Sequence, residues 1–84
     1  MRLPVIKHFV EQNFDEDHFE ETLLVLESLI DARGIKDEEL EVIGELLSNI
    51  EGAKAVKEDM RSNGTELKVA LNNFMKRVMG SINK

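Results

Sequence analysis

Apolar side chains recur along this chain at intervals of three and four residues, the spacing of helices that bury one face. Leu3, Ile6, Phe9 and Val10 form the first such face. Pro4 suits the opening turn, where its missing N–H would be unpaired anyway, so a first helix is predicted from Pro4 to about Asn13. Asp15 follows as an N-cap, and Glu16 and Asp17 are placed to meet the positive end of the next helix dipole. That second helix is predicted from Glu16 to Arg33, with Phe19, Leu23, Leu26 and Ile30 turned inward and Gly34 as a left-handed C-cap. Leu24 and Val25 lie off this stripe, roughly 140° to one side and roughly 120° to the other. A helix apolar so far round its axis is expected to be buried on more than one side.

A third helix is predicted after Asp37 as N-cap, with Glu38 and Glu39 in its first turn. Its stripe is Leu40, Ile43, Leu47 and Ile50. Further on, Ala53, Val56 and Met60 lie on a face turned by roughly a quarter turn or more. Gly52, a poor helix former, stands at the change, so a kink or short break is expected near Glu51–Ala53. This segment should end at Asn63-Gly64. Thr65 is the predicted N-cap of a fourth helix with Leu67, Ala70, Leu71, Phe74, Met75, Val78 and Ile82 on one broad face. Gly80 is expected to end it and leave Ile82 to fold back on the core. No segment alternates as a strand does. The reading is an all-α single domain over residues 1–84: a compact bundle of four helices, five if helix 3 breaks near Gly52.

Charge changes the picture. Residues 11–51 hold 14 of the 17 carboxylates and only two cations, Arg33 and Lys36, for a net charge of −12. The remainder carries nine basic and three acidic residues, a net of +6. Two such regions can attract each other within the fold or offer a partner two different faces. The overall charge of −6 opposes nonspecific nucleic-acid binding, which depends on neutralising phosphates. No apolar run approaches the ~20 residues that span a bilayer, and the opening Met1-Arg2-Leu3-Pro4-Val5-Ile6-Lys7 has no h-region. With no cysteine, neither disulfides nor thiolate metal sites are available. A soluble, cytoplasmic protein with no nucleic-acid or membrane partner is expected.

Candidate chemistry is sparse. Asp15 and His18 have the carboxylate-x-x-His spacing of di-metal helix bundles, and Glu16, Asp17, Glu20 and Glu21 surround them. Such sites need a second histidine and matching carboxylates from other helices, and His8 is the only other histidine; capping and solvated charge account for the cluster, and no metal or other cofactor is expected. Ser28 and Ser48 fall within amphipathic helices without the glycine-rich turn of a serine nucleophile. Arg61-Ser62-Asn63-Gly64-Thr65 precedes a helix but lacks the second glycine and the lysine of a phosphate loop. Glu27-Ser28-Leu29 partly resembles the Asp-Ser-Leu that accepts phosphopantetheine in acyl carrier proteins, yet Ser28 is predicted in mid-helix and not at a helix start. Lys68, Lys76 and Arg77 are spread round the fourth helix and do not form the concentrated basic stripe of a membrane-surface helix.

Two long stretches carry a resemblance: Ile35-Lys36-Asp37-Glu38-Glu39-Leu40-Glu41-Val42-Ile43-Gly44-Glu45-Leu46-Leu47-Ser48-Asn49, and Ala70-Leu71-Asn72-Asn73-Phe74-Met75-Lys76-Arg77-Val78-Met79-Gly80-Ser81-Ile82. With Leu3-Pro4-Val5-Ile6-Lys7-His8, they resemble a family of small uncharacterised bacterial proteins of about this length. The resemblance covers nearly the whole chain and implies no activity, cofactor or functional residue.

The functional expectation is a non-enzymatic helical interaction or adaptor module that forms a homodimer through Leu24, Val25 and Leu29. The alternative is a bundle that binds a small ligand or metal through the acidic cluster near Asp15 and His18. A third possibility is regulation of an enzyme through the acidic face of helices 2 and 3.

Overall fold

The computed structural model describes residues 2–82, with side chains from Arg2 to Met79. Four α-helices follow in order: α1 (Leu3–Glu11), α2 (Glu16–Glu27), α3 (Asp37–Asn63) and α4 (Leu67–Ile82). A single 3-10 turn, Ser28–Asp31, extends α2, and no strand occurs among the described residues. The all-α expectation holds with four helices, not five.

The alternative fifth helix is corrected at Gly52. α3 runs unbroken through this residue for 27 residues. Both apolar sets predicted for it are buried or half-buried, because different neighbours cover them. Ile43, Leu47 and Ile50 lie on the side that receives α2. Ala53 and Val56, roughly 80° and 140° back from Ile43, lie on the side that receives α1 and α4. Gly52 marks where these two helices press closest. A Cβ there would come within 2.7 Å of Ile6 Cδ1 and 3.1 Å of Phe74 Cζ.

α3 is therefore the spine. It contacts α1, α2, the 3-10 turn and α4, and α1 also touches α4. Arg61, near the end of α3, reaches Glu16 at the start of α2 through Nε–Oε1 at 2.7 Å. Since only five residues link the 3-10 turn to α3, α2 and α3 form an antiparallel hairpin. The molecule measures 43 × 32 × 18 Å, and its thinnest dimension matches two helix layers about 10 Å apart. Ile6, Ala53, Val56 and Ala70 are fully buried, with Phe19, Leu23, Ile50, Leu71 and Phe74 close behind.

Several element ends differ from expectation. α2 stops at Glu27, and Ser28 Oγ donates to the carbonyl of Val25 at 2.6 Å. A 3-10 turn advances about 120° per residue, so the inward stripe drifts outward and Ile30 is 53% exposed, not core. Ser28 thus opens the 3-10 turn and does not sit in mid-helix. Gly34 has the expected positive φ of 84°, but two residues beyond the extended residue that ends the turn. Lys36, not Asp37, is the N-cap of α3, and its backbone N–H donates to Glu39 Oε1 at 3.0 Å. Gly64, with φ of 66°, ends α3 as predicted. α4 starts at Leu67, so Thr65 does not cap it, and the Thr65 hydroxyl is buried without a partner. Gly80 does not end α4, which continues to Ile82; the packing expected of the Ile82 side chain lies outside the described side chains.

One buried polar residue carries a specific task. Asn49 is 2% exposed, and its Oδ1 accepts the backbone N–H of Arg2 at 2.7 Å. It pins the start of α1 to the middle of α3. Apolar periodicity gave no hint of it.

Candidate functional site

The acidic cluster at the start of α2 is built as a helix cap. His18 N–H donates to Asp15 Oδ1 at 2.9 Å, and Asp15 N–H donates to His18 Nδ1 at 3.1 Å. Together these satisfy two backbone donors reciprocally. The bond from the His18 backbone holds the Asp15 carboxyl below its ordinary value. Nδ1 also lies 3.0 Å from Asp15 Oδ1. Cations from the end of α3 meet this end of α2 as well. Arg61 binds Glu16, and Lys57 Nζ donates to the Phe14 carbonyl. Among the described residues, no three His, Asp or Glu side chains are grouped to hold a metal ion.

Beside this cap lies a small aromatic hollow of about 280 Å³, lined by Phe9, Phe14, His18, Phe19, Thr22 and Ile50. Its rings stitch α1 to α2. Phe9 meets Phe19 at 6.5 Å between centroids and Phe14 meets Phe19 at 6.0 Å, both edge to face. The lining is apolar except for Thr22 and His18, and Thr22 Oγ1 is already committed to the His18 carbonyl at 2.8 Å. Sequence reasoning finds the cap but not the hollow, whose walls come from α1, the link after it, α2 and α3.

The larger feature is the far end of the α2–α3 hairpin. Leu24 and Val25 are 66% and 67% exposed and Leu29 is 36% exposed. Ile30, Val42 and Leu46 are exposed in the same half of the molecule. α2 therefore buries one side only, and both its apolar flanks face solvent. Leu24 and Val25 project about 100° apart on the outer side of α2, one to each side of the plane of the hairpin. Val25 is roughly 120° back from Phe19, while Val42 and Leu46 are roughly 100° and 60° back from Ile43. In an antiparallel pair, equal senses of rotation from the contact line lead to the same side. Val25, Val42 and Leu46 thus lie on one face of the hairpin, and Leu24 on the other.

That shared face is the side of α3 that α1 and α4 cover further along. α1 begins alongside Asn49, and Leu46 and Val42 lie one and two turns nearer the start of α3. Before the start of α1 the apolar face of the hairpin continues without it, leaving a step. Glu21, Glu38 and Glu45 stand on this side of the hairpin and Arg2 borders it, so the step is net acidic. Leu24, Val25 and Leu29 are visible from sequence, but Val42 and Leu46 are not: they look like ordinary off-stripe positions until the extent of the second layer is known.

The chain matches, over residues 1–83, the model of a family described as a family of unknown function (DUF6952). No curated protein and no solved structure matches it. No helix among the described residues is long and apolar enough to cross a membrane.

Proposed function

Since the chain belongs to that family of unknown function, which assigns no activity, we propose from its own surface that it is a non-enzymatic helical interaction module that self-associates through the exposed end of the α2–α3 hairpin. One observation carries this reading: the step keeps Val25, Val42 and Leu46 in solvent at 67%, 59% and 39% exposure on one face. Clustered large apolar side chains usually mark a contact surface, and pairing with a second copy is the commonest way to bury one. The four helices then form a compact bundle whose unfilled corner is the contact. The absence of cysteine suits a reducing compartment such as the cytoplasm. Light scattering behind a sizing column, at several concentrations, tests the proposal. The expected mass is two chains, reduced towards one by Val25→Glu. One chain at every concentration would refute self-association.

The aromatic hollow supports a second reading, a site for a small apolar ligand with His18 at its rim. Its 280 Å³ lies just below the roughly 300–1,000 Å³ of ordinary ligand sites, so it ranks behind the first reading. A saturable rise in melting temperature with a small aromatic probe such as indole, lost in Phe14→Ala, would favour it.

A further inference from the structure

We propose that the step is filled by α4 of a second copy, each protein receiving the other's α4 in a closed pair. This rests on the self-association reading above and names the surface that completes it. The first argument is charge. α4 contains Lys68, Lys76 and Arg77 and no carboxylate, whereas the step is bordered by carboxylates from both hairpin helices. Glu21 and Glu38 stand one turn before Val25 and Val42, on the same side. Pairing two steps directly would bring like charges together, which costs stability in any contact. Meeting α4 reverses the sign.

The second argument is the pattern on α4 itself. Its inner face is spent on Ala70, Leu71 and Phe74, which are buried. On its outer side, Lys68, Val69, Lys76 and Met79 fall within a sector of about 100°. Val69 and Met79 are 45% and 54% exposed. Lys68 and Lys76 are exposed, and neither makes a hydrogen bond or ion pair with another described residue. Two apolar contacts flanked by two available cations match the apolar step flanked by carboxylates.

The third argument is shape. One layer, the hairpin, extends past the start of α1 in the other layer. A second copy turned about a twofold axis places its short layer on the exposed end of the first hairpin and receives the first copy's short layer in return. The contact is then made twice, and the pair closes without leaving a step to recruit a third chain.

The test uses the full chain and light scattering at several concentrations. Three variants are compared with the parent: Val42→Glu, the pair Lys68→Glu with Lys76→Glu, and the pair Glu21→Lys with Glu38→Lys. All of these positions are exposed, and circular dichroism checks that helicity is kept; Val42→Ser and Lys→Gln replace any variant that loses it. Each is expected to weaken self-association by about tenfold or more. An equimolar mixture of the two charge-reversed proteins should restore pairing, because each then offers a complementary surface to the other. If Val42→Glu dissolves the pair but the α4 lysine variant does not, the seat on α4 is overturned and self-association through the step stands. If the parent is one chain throughout, both fall. A mass that climbs beyond two chains with concentration would overturn the closed arrangement.

Discussion

Ile6 of α1 packs so tightly on Gly52 of α3 that a single added carbon at position 52 would approach its Cδ1 to 2.7 Å. Ile6 is fully buried and Phe74 bounds the same spot at 3.1 Å, so the isoleucine tip has little room to retreat. Gly52→Ala gains helix propensity, about 1 kcal/mol, but overpacking a filled core costs about 1–3 kcal/mol. A net loss of about 0–2 kcal/mol is expected in a denaturant melt. Gly44, on the same helix, borders open space: a Cβ added there would meet nothing within 4 Å, so Gly44→Ala should stabilise by about 0.5–1 kcal/mol. Opposite signs at two glycines of one helix test the packing directly; equal gains at both would contradict it.

Removing the acceptor at Asn49 should be costly. Asn49→Leu leaves the Arg2 N–H without its partner, with an expected loss of about 1–3 kcal/mol. Amide exchange in the first turn of α1 should accelerate more than in α2. Uniform acceleration across both helices would argue against a local tie.

Phe74 joins α4 to the spine and is 8% exposed. Phe74→Ala should cost about 3–5 kcal/mol, a large share of the stability of so small a domain. A midpoint within about 0.5 kcal/mol of the parent, as for an ordinary surface change, would remove α4 from the core.

The Asp15 cap gives stability an acid limb. Its folded carboxyl titrates below the ordinary value of 3.8, chiefly because it accepts the His18 backbone N–H. The stabilisation is therefore complete above 3.8 and is lost as pH falls through the depressed folded value. Asp15→Asn keeps a capping oxygen without the titration, so its melting temperature should fall less steeply over that range. Parallel acid profiles for the two proteins would exclude Asp15 as a contributor.

The parts of this fold legible in the sequence are those that depend on neighbours close in the chain. The inward faces of α1 and α4 follow from spacing alone, and the Asp15 cap from residue type next to an apolar run. The parts that were not legible depend on neighbours far away. Gly52 reads as a breaker by propensity, yet it is kept in a helix because Ile6 and Phe74 converge on it. Asn49 looks like a surface amide until α1 starts beside it. Ile30 fits the α-helical stripe, but the chain tightens at Ser28 and turns it outward. Among candidate site residues, Val25 was visible as off-stripe, while Val42 and Leu46 emerged only once the limits of α1 were known. The family match bears out the small uncharacterised family that the long stretches around Ile35–Asn49 and Ala70–Ile82 resemble.

The seat at Gly52 also sets an order of events during synthesis. α1 has only nine residues, too few for a lasting helix by itself in water. Its floor, Gly52 and Ala53, is translated more than forty residues later, and the Phe74 wall later still. The α2–α3 hairpin joins neighbours in the chain and is free to form first. α1 is thus made before the surfaces that receive it and is among the last of the four helices to dock, and until α4 is made its apolar face has no complete place to go.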